Sequence, residues 1–74
     1  MTWIMIQACR RRFGIVSTLT RIDRYDQDCD GEANRLVRRS IAKWQRRLPG
    51  WHVIGCEVDE EEASEVLADL EIGN

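Results

Sequence analysis

The chain has 74 residues, and its length, composition and charge limit what kind of protein it encodes. A chain of this length forms one small domain that buries only about 60% of its unfolded surface, so a deep, water-excluding active site is not expected. The net charge of −2 hides a strong segregation: residues 10–47 hold all eleven basic residues against five acids, whereas residues 48–74 hold eight acids and no base. Each block favours an oppositely charged partner, unless the two blocks neutralise each other inside the fold.

Membrane insertion and secretion are not expected. The sequence has no apolar run near the roughly 18 residues that span a bilayer, and its N-terminus lacks the basic residues that begin a signal peptide. The three cysteines are an odd number without C-x-x-C spacing, which is typical of a reducing compartment. We therefore expect a cytoplasmic protein without membrane contact, in which Cys9 and Cys56 are buried free thiols.

The first third of the chain predicts a β-hairpin. Residues 2–8 (T-W-I-M-I-Q-A) are apolar on both alternating faces, which is typical of a central strand. Residues 10–14 (R-R-R-F-G) predict a turn in which Gly14 adopts a positive φ. Residues 15–22 form a second, more polar strand, expected at a sheet edge. Residues 23–31 are expected to form the loop into the next element.

An amphipathic helix is predicted between Asp30 and Pro49. Asp30 suits the N-cap position, and Pro49-Gly50 ends the helix. The apolar residues recur at the i, i+3, i+4 spacing of one buried face. That face consists of Ala33, Leu36, Val37, Ile41, Trp44 and Leu48. The opposite face consists of Asn34, Arg35, Arg38, Arg39, Lys43, Arg46 and Arg47.

A third strand over residues 51–58 and a second helix that opens at residues 59–62 complete the chain. The right-handed crossover rule then places the first strand in the centre of a sheet of order 2-1-3. We predict one α+β domain over residues 1–74 with ββαβα topology: a three-stranded, mainly antiparallel sheet, one amphipathic helix packed on it, and a short acidic C-terminal helix. Either that last helix or another molecule, including a second copy in a homodimer, must cover the second sheet face.

One segment resembles the start of a calcium-binding loop. Asp26, Asp28 and Asp30, followed by Gly31, match the D-x-D-x-D-G pattern in which alternate carboxylates converge on the ion. The glutamate that completes such a loop at its twelfth position is replaced by Val37, inside the apolar helix face. An acidic turn that caps a basic helix accounts for the same residues.

Zinc and catalysis are not expected either. Cys9, Cys29, Cys56 and His52 are zinc-type ligands. However, His52 and Cys56 are separated by about 13 Å if they lie on one strand, too far for a single ion. His52 is the only histidine, and no serine lies in a nucleophile motif. We expect a protein that is not an enzyme and uses no metal and no cofactor.

The densest charged cluster is acidic and is the first candidate binding surface. It has no basic residue nearby in sequence, so it is expected to engage a basic groove on a protein partner. Acidic residues at a helix start also suit the helix dipole, which is the plainer explanation. The cluster consists of Glu57, Asp59, Glu60, Glu61, Glu62 and Glu65.

The arginines form the second candidate surface, for nucleic acid. Arginine's planar guanidinium suits phosphate, and Phe13 or Tyr25 could stack on a base. A solvated helix face is the plainer explanation of these charges. The arginines concerned are Arg10, Arg11 and Arg12 at the hairpin tip and Arg35, Arg38 and Arg39 on the helix.

In size and element order, the whole chain resembles small phage-encoded inhibitors of bacterial defence, the anti-CRISPR proteins among them. The resemblance implies non-enzymatic binding to a host protein complex that handles nucleic acid, often through acidic patches that occupy sites meant for nucleic acid. These inhibitors share no common motif, so the resemblance assigns no functional residue. Protein binding through the acidic cluster is therefore the expected function, and nucleic-acid binding through the arginines is the alternative.

Overall fold

The computed structural model describes residues 1–26 and 33–72, with side chains through residue 70. Its elements are β1 (Thr2–Arg12), β2 (Ile15–Tyr25), α1 (Ala33–Arg47), β3 (His52–Val58) and α2 (Glu60–Ile72). In this described part of the chain, the strands form a three-stranded sheet of order β2-β1-β3, and β1 is antiparallel to both neighbours. The predicted α+β class, the ββαβα order and the central place of β1 are confirmed.

The hairpin strands are longer than predicted. β1 and β2 pair continuously from Thr2↔Tyr25 to Arg12↔Ile15. The prediction of a turn over residues 10–14 was therefore wrong, because only residues 13 and 14 turn. Both residues of the turn adopt a positive φ, which matches the twist of a two-residue hairpin and lets the ladder continue up to it.

The loop predicted over residues 23–31 was also wrong at its start. β2 includes Asp23, Arg24 and Tyr25. Because β2 extends this far, its pairing with β1 continues to Thr2. Residues 27–32 lie outside the described residues, and so does Asp30, the predicted N-cap. α1 is described from Ala33 and ends at Arg47, just before the proline and glycine that were expected to stop it.

The main core lies between α1 and one face of the sheet. Ile4, Ile6 and Ala8 alternate along β1 and are almost completely buried, as predicted for one face of a central strand. They pack with Leu36 of α1 and Val53 of β3. Because burying a large aliphatic side chain contributes about 1.5–3 kcal/mol, this layer holds α1 on the sheet.

Polar side chains of β2 cross the same layer to α1. Asp23 is 7% exposed, and its carboxylate accepts hydrogen bonds from Lys43 Nζ at 3.1 Å and Trp44 Nε1 at 3.0 Å. The hydroxyl groups of Tyr25 and the fully buried Ser40 share a hydrogen bond of 2.6 Å. Since a buried polar group is stable only with a partner, these contacts fix the rotation of α1 about its axis.

β3 meets α1 at a glycine. A Cβ added to Gly55 would lie 2.8 Å from Ile6 Cδ1 and 3.2 Å from Ile41 Cγ1. Both distances are shorter than ordinary van der Waals contact. Glycine at this position therefore lets the helix approach the edge strand closely.

α2 covers part of the second sheet face. It contacts β1 and β2, and Ala63 on its inner side is fully buried. Trp3 and Met5 beneath it are half-buried. The expectation that Cys9 and Cys56 are buried was wrong, because both lie on this partly covered face and are exposed.

Candidate functional site

The hairpin projects beyond the third strand. β1 pairs with β3 only from Trp3 to Cys9, whereas its pairing with β2 continues to Arg12↔Ile15. Residues 10–17 therefore form a two-stranded arm, which extends roughly 10 Å past β3 at about 3.3 Å per residue. Residues 11–16 of this arm are all exposed.

The three arginines of the arm differ in their surroundings. Because strand residues alternate, Arg10 and Arg12 lie on the α1 side of the sheet and Arg11 lies on the opposite side. The guanidinium carbon of Arg10 lies 4.8 Å from the centroid of the Trp51 ring. Arg11 and Arg12 are exposed and join no ion pair or ring contact within the described ranges. Arg10 is thus bound to the body of the protein, whereas the other two present their charge to solvent.

The turn of the arm exposes an aromatic ring. Phe13 is 98% exposed and adopts a φ of 53°. The left-handed conformation costs an L-residue other than glycine about 1–2 kcal/mol, so this position is strained. The neighbouring Ile15 and Val16 are exposed as well. Both residues were predicted at the start of the second strand, and the register with β1 shows that they form one side of the arm.

The other aromatic rings are covered by cations. Arg24 lies over Trp3 at 6.0 Å, Arg39 over Tyr25 at 5.8 Å, and Lys43 and Arg47 over Trp44 at 5.4 and 5.3 Å; Arg10 covers Trp51 as described. Tyr25, which the sequence analysis considered for base stacking, is also bound to Ser40. Among the residues that the structure describes, only Phe13 therefore presents an uncovered aromatic ring.

α1 exposes the predicted basic face on the same side as Arg10 and Arg12. All seven polar residues predicted for that face, from Asn34 to Arg47, are exposed. The C-terminal end of α1 lies at the base of the arm, because Trp51 N–H donates to the Leu48 carbonyl at 3.1 Å and Gln45 Nε2 donates to the Trp51 carbonyl at 2.8 Å. The structure thus brings most of the predicted arginines to one side of the sheet.

The predicted acidic cluster lies at the far end of the sheet from the arm. α2 follows Val58, which pairs with Trp3, nine positions along β1 from Arg12; the separation is about 30 Å at 3.3 Å per residue. Asp59 caps α2, since its Oδ1 accepts a hydrogen bond from Glu62 N–H at 2.7 Å. Glu57 lies in β3, on the α1 side of the sheet, apart from the helical acids.

The described glutamates near the start of α2 form no ion pair with the described arginines. The carboxylates of Glu60, Glu61, Glu62 and Glu65 are exposed, and they form no ion pair among the described side chains. The ion pairs that the structure does show, Arg24–Asp26 and Lys43–Asp23, join residues of the basic half of the chain. The arm and the N-terminal part of α2 therefore carry opposite charges at opposite ends of the sheet, and both are available to partners.

The uncovered half of the second sheet face holds a shallow hollow near the arm. It is open, has a volume of about 350 Å³, and is lined by side chains that include Gln7, Cys9, Thr18 and His52. Cys9 and His52 are directly opposite each other on β1 and β3. This pairing was not predicted from the sequence, because it follows from the strand register. The side chains share no hydrogen bond within the part of the chain that is described, so the structure shows no activated thiol.

Much of the segment that resembles the start of a calcium loop, including Asp28 and Asp30, lies outside the described residues, as does Cys29 of the zinc-type set. Among residues 1–26 and 33–70, no three His, Cys, Asp or Glu side chains lie close enough to hold one metal ion. None of the described helices combines the length and the apolar character needed to cross a membrane. Comparisons of the chain with protein-family models, with curated proteins and with solved structures found no match.

Proposed function

We propose that the protein binds nucleic acid through the arm and the basic face of α1. The observation that carries this proposal is the position of Arg11 and Arg12, which are exposed at the end of a projecting two-stranded arm and form no ion pair with any described residue. A guanidinium group binds phosphate through two parallel hydrogen bonds. The arm's length of roughly 10 Å is also comparable with the depth of a DNA groove, about 7.5–8.5 Å, and the major groove admits a two-stranded ribbon.

The acidic overall charge does not argue against this function. The net charge of −2 averages two surfaces that lie apart. At physiological ionic strength, the Debye length is about 8 Å. The start of α2 lies roughly 30 Å from Arg12, so salt ions screen the charge of its acids from a ligand at the arm. A nucleic acid that lies on the arm and on the C-terminal end of α1 therefore meets mainly positive charge.

Fluorescence anisotropy of labelled duplex DNA, titrated with protein at several salt concentrations, tests this proposal. We expect salt-dependent binding, with log K falling by about 0.9 per phosphate contact for each unit of log salt. Replacing both Arg11 and Arg12 by Ala should weaken binding and lower that slope. The matched control replaces Glu61 and Glu65 by Gln, which changes two distant charges and should preserve or slightly strengthen binding. No binding at low salt, or unchanged affinity of the arginine variant, would refute nucleic-acid binding through the arm.

Protein binding through α2 is a second candidate function. It is favoured by the exposed carboxylates of Glu60, Glu61 and Glu65, which have no ion-pair partner among the described residues. In this case the protein acts as an inhibitor that holds a host nucleic-acid-handling complex, as anti-CRISPR proteins do. For either function we propose the cytoplasm as the compartment, because the exposed thiols of Cys9 and Cys56 stay reduced there.

A pull-down from bacterial lysate, with and without nuclease, separates the two functions. A protein complex that survives nuclease and is lost when Glu60, Glu61 and Glu62 are reversed to Lys would support the inhibitor. Recovery of nucleic acid, with proteins that disappear after nuclease, would support the arm. The reversal of the three glutamates should also flatten the salt dependence of protein binding, since the steering charge is removed.

A further inference from the structure

We infer that Phe13 is a wedge that inserts at a base step of double-stranded DNA and unstacks it. This inference rests on the proposed nucleic-acid binding by the arm and names its ligand as a DNA duplex. Phe13 stands at the outermost point of the arm, 98% exposed, beside the exposed charges of Arg11 and Arg12. Apolar side chains that enter a groove between phosphate-binding cations are known to part neighbouring bases and bend the duplex.

The backbone at Phe13 argues that the ring serves a ligand. Phe13 has a φ of 53° and Gly14 a φ of 77°. Turns of this kind favour Asn, Asp or Gly at the first position, where a phenylalanine is strained. The ring gains no burial in return, since nearly all of its surface faces solvent. A strained backbone conformation that is not compensated by packing of the side chain within the fold is typical of functional positions.

The other aromatic residues indicate a duplex rather than a single strand. Proteins that bind single strands use several aromatic side chains along a basic path, on which successive bases stack. Here the rings of Trp3, Tyr25, Trp44 and Trp51 are each covered by a lysine or arginine. Within the described residues, Phe13 is the one uncovered ring, which suits a single insertion point.

The ease of unstacking and the groove shape of a duplex predict which nucleic acids the wedge prefers. Pyrimidine–purine steps such as TA unstack most easily, so the wedge should favour them over stiff A-tracts. In A-form RNA the major groove is too narrow for protein side chains to read, and the minor groove is wide and shallow, so neither groove suits the wedge. The arm should therefore prefer DNA to a duplex of RNA. The wedge and the arginines thus have separate tasks: the arginines bind phosphate and the ring parts the bases.

The experiment uses duplexes that carry 2-aminopurine at a central TA step and a donor–acceptor dye pair at the ends. The wild-type protein should raise the 2-aminopurine fluorescence and bring the ends closer together. Phe13→Asn, which suits the turn and keeps the arm folded, should abolish both signals and weaken binding roughly 5- to 150-fold, the loss expected for one stacking contact. Phe13→Trp should preserve both signals. The salt slope should be the same for all three proteins.

The outcomes distinguish the wedge from the binding on which it rests. Binding by the wild type without a fluorescence rise, an equal rise with Phe13→Asn, or tighter binding to the single strand than to the duplex would each overturn the wedge and leave nucleic-acid binding in place. Absence of binding to every nucleic acid at low salt would overturn both. A rise at TA that is smaller in an A-tract and absent with RNA would support the wedge.

Discussion

Asp23 of β2 accepts a hydrogen bond from Trp44 Nε1 of α1 at 3.0 Å through its Oδ2 atom, while its Oδ1 atom accepts from Lys43 Nζ at 3.1 Å. One carboxylate thereby holds two consecutive residues of the helix. Because Asp23 is 7% exposed, its carboxylate depends on these two donors more than on water. The same contact fixes Lys43 near the ring of Trp44. The orientation of the basic face of α1 therefore depends on a buried acid in β2.

Asp23→Ala should lower the free energy of unfolding by about 1–3 kcal/mol, because it leaves the indole N–H and the ammonium group without their acceptor. For a domain of this size, each kcal/mol corresponds to a shift in Tm of roughly 4–8 °C. Asp26→Ala is the matched control, since its ion pair with Arg24 is largely exposed; it should change stability by less than about 0.5 kcal/mol. Urea unfolding measures both. Equal effects of the two variants would show that the buried carboxylate does not hold α1.

Gly55→Ala should destabilise the fold by overpacking. The new Cβ would lie 2.8 Å from Ile6 Cδ1, and overpacked sites typically cost about 1–3 kcal/mol. Ile6→Val removes that Cδ1 atom and alone should cost about 0.5–1.5 kcal/mol. In the double variant the clash is relieved, so its loss should be smaller than the sum of the two single losses. A loss equal to that sum, measured by urea unfolding, would contradict the close contact of Ile6 Cδ1 with this glycine.

Arg10 and Arg12 lie on the same side of the arm but should have different roles. We expect Arg10 to stabilise the fold and Arg12 to bind the ligand. Arg10→Ala removes the cation from the Trp51 ring, so it should change the intrinsic tryptophan fluorescence and cost about 0.5–1 kcal/mol of stability. Arg12→Ala should leave both unchanged and lower the salt slope of DNA binding by about one phosphate contact. A fluorescence change with Arg12→Ala, or none with Arg10→Ala, would contradict this division.

The sequence predicted the arrangement of the elements because hydrophobic periodicity reports it directly. The two apolar faces of residues 2–8 placed β1 in the centre, and the spacing from Ala33 to Leu48 defined the buried face of α1. The arm was missed because a run of three arginines before Phe13-Gly14 reads locally as a turn. Only the register with β2 shows that the arginines belong to a strand.

Long-range polar contacts were the second feature that the sequence did not predict. Asp23 and Ser40 are typical loop or surface residues in sequence, yet each is buried because a partner on another element satisfies it. Cys9 and Cys56, by contrast, are apolar residues that were expected to be buried but are exposed, because no other described element covers them. How far α2 extends over the second face depends on tertiary packing, which periodicity does not report.

Asp59 should stabilise the N-terminus of α2, whether or not it also contacts a partner. Its carboxylate accepts a hydrogen bond from Glu62 N–H at 2.7 Å, so Asp59→Ala should cost about 0.5–2 kcal/mol as the N-cap is lost. Asp59→Asn retains a capping oxygen and should keep most of that stability while it removes the charge. Thermal unfolding distinguishes the two variants. If Asp59→Asn keeps stability but loses a captured protein complex in the pull-down, the charge itself contacts the partner; if it loses neither, Asp59 serves the helix alone.

Phe13→Asn should make the protein more stable while it removes the wedge. Asn-Gly is the preferred pair for a turn in which both residues have a positive φ, and the strain of the phenylalanine, about 1–2 kcal/mol, is relieved. Urea unfolding should show a higher midpoint with an unchanged m-value. Phe13→Ala is the matched control, because alanine lacks the ring but keeps the unfavourable Cβ at this φ. It should lose the unstacking of DNA without the gain in stability. If both variants unstack DNA like the wild type, the ring is not the wedge; if Phe13→Asn gives no gain in stability, the turn is not strained, and the phenylalanine needs no functional explanation.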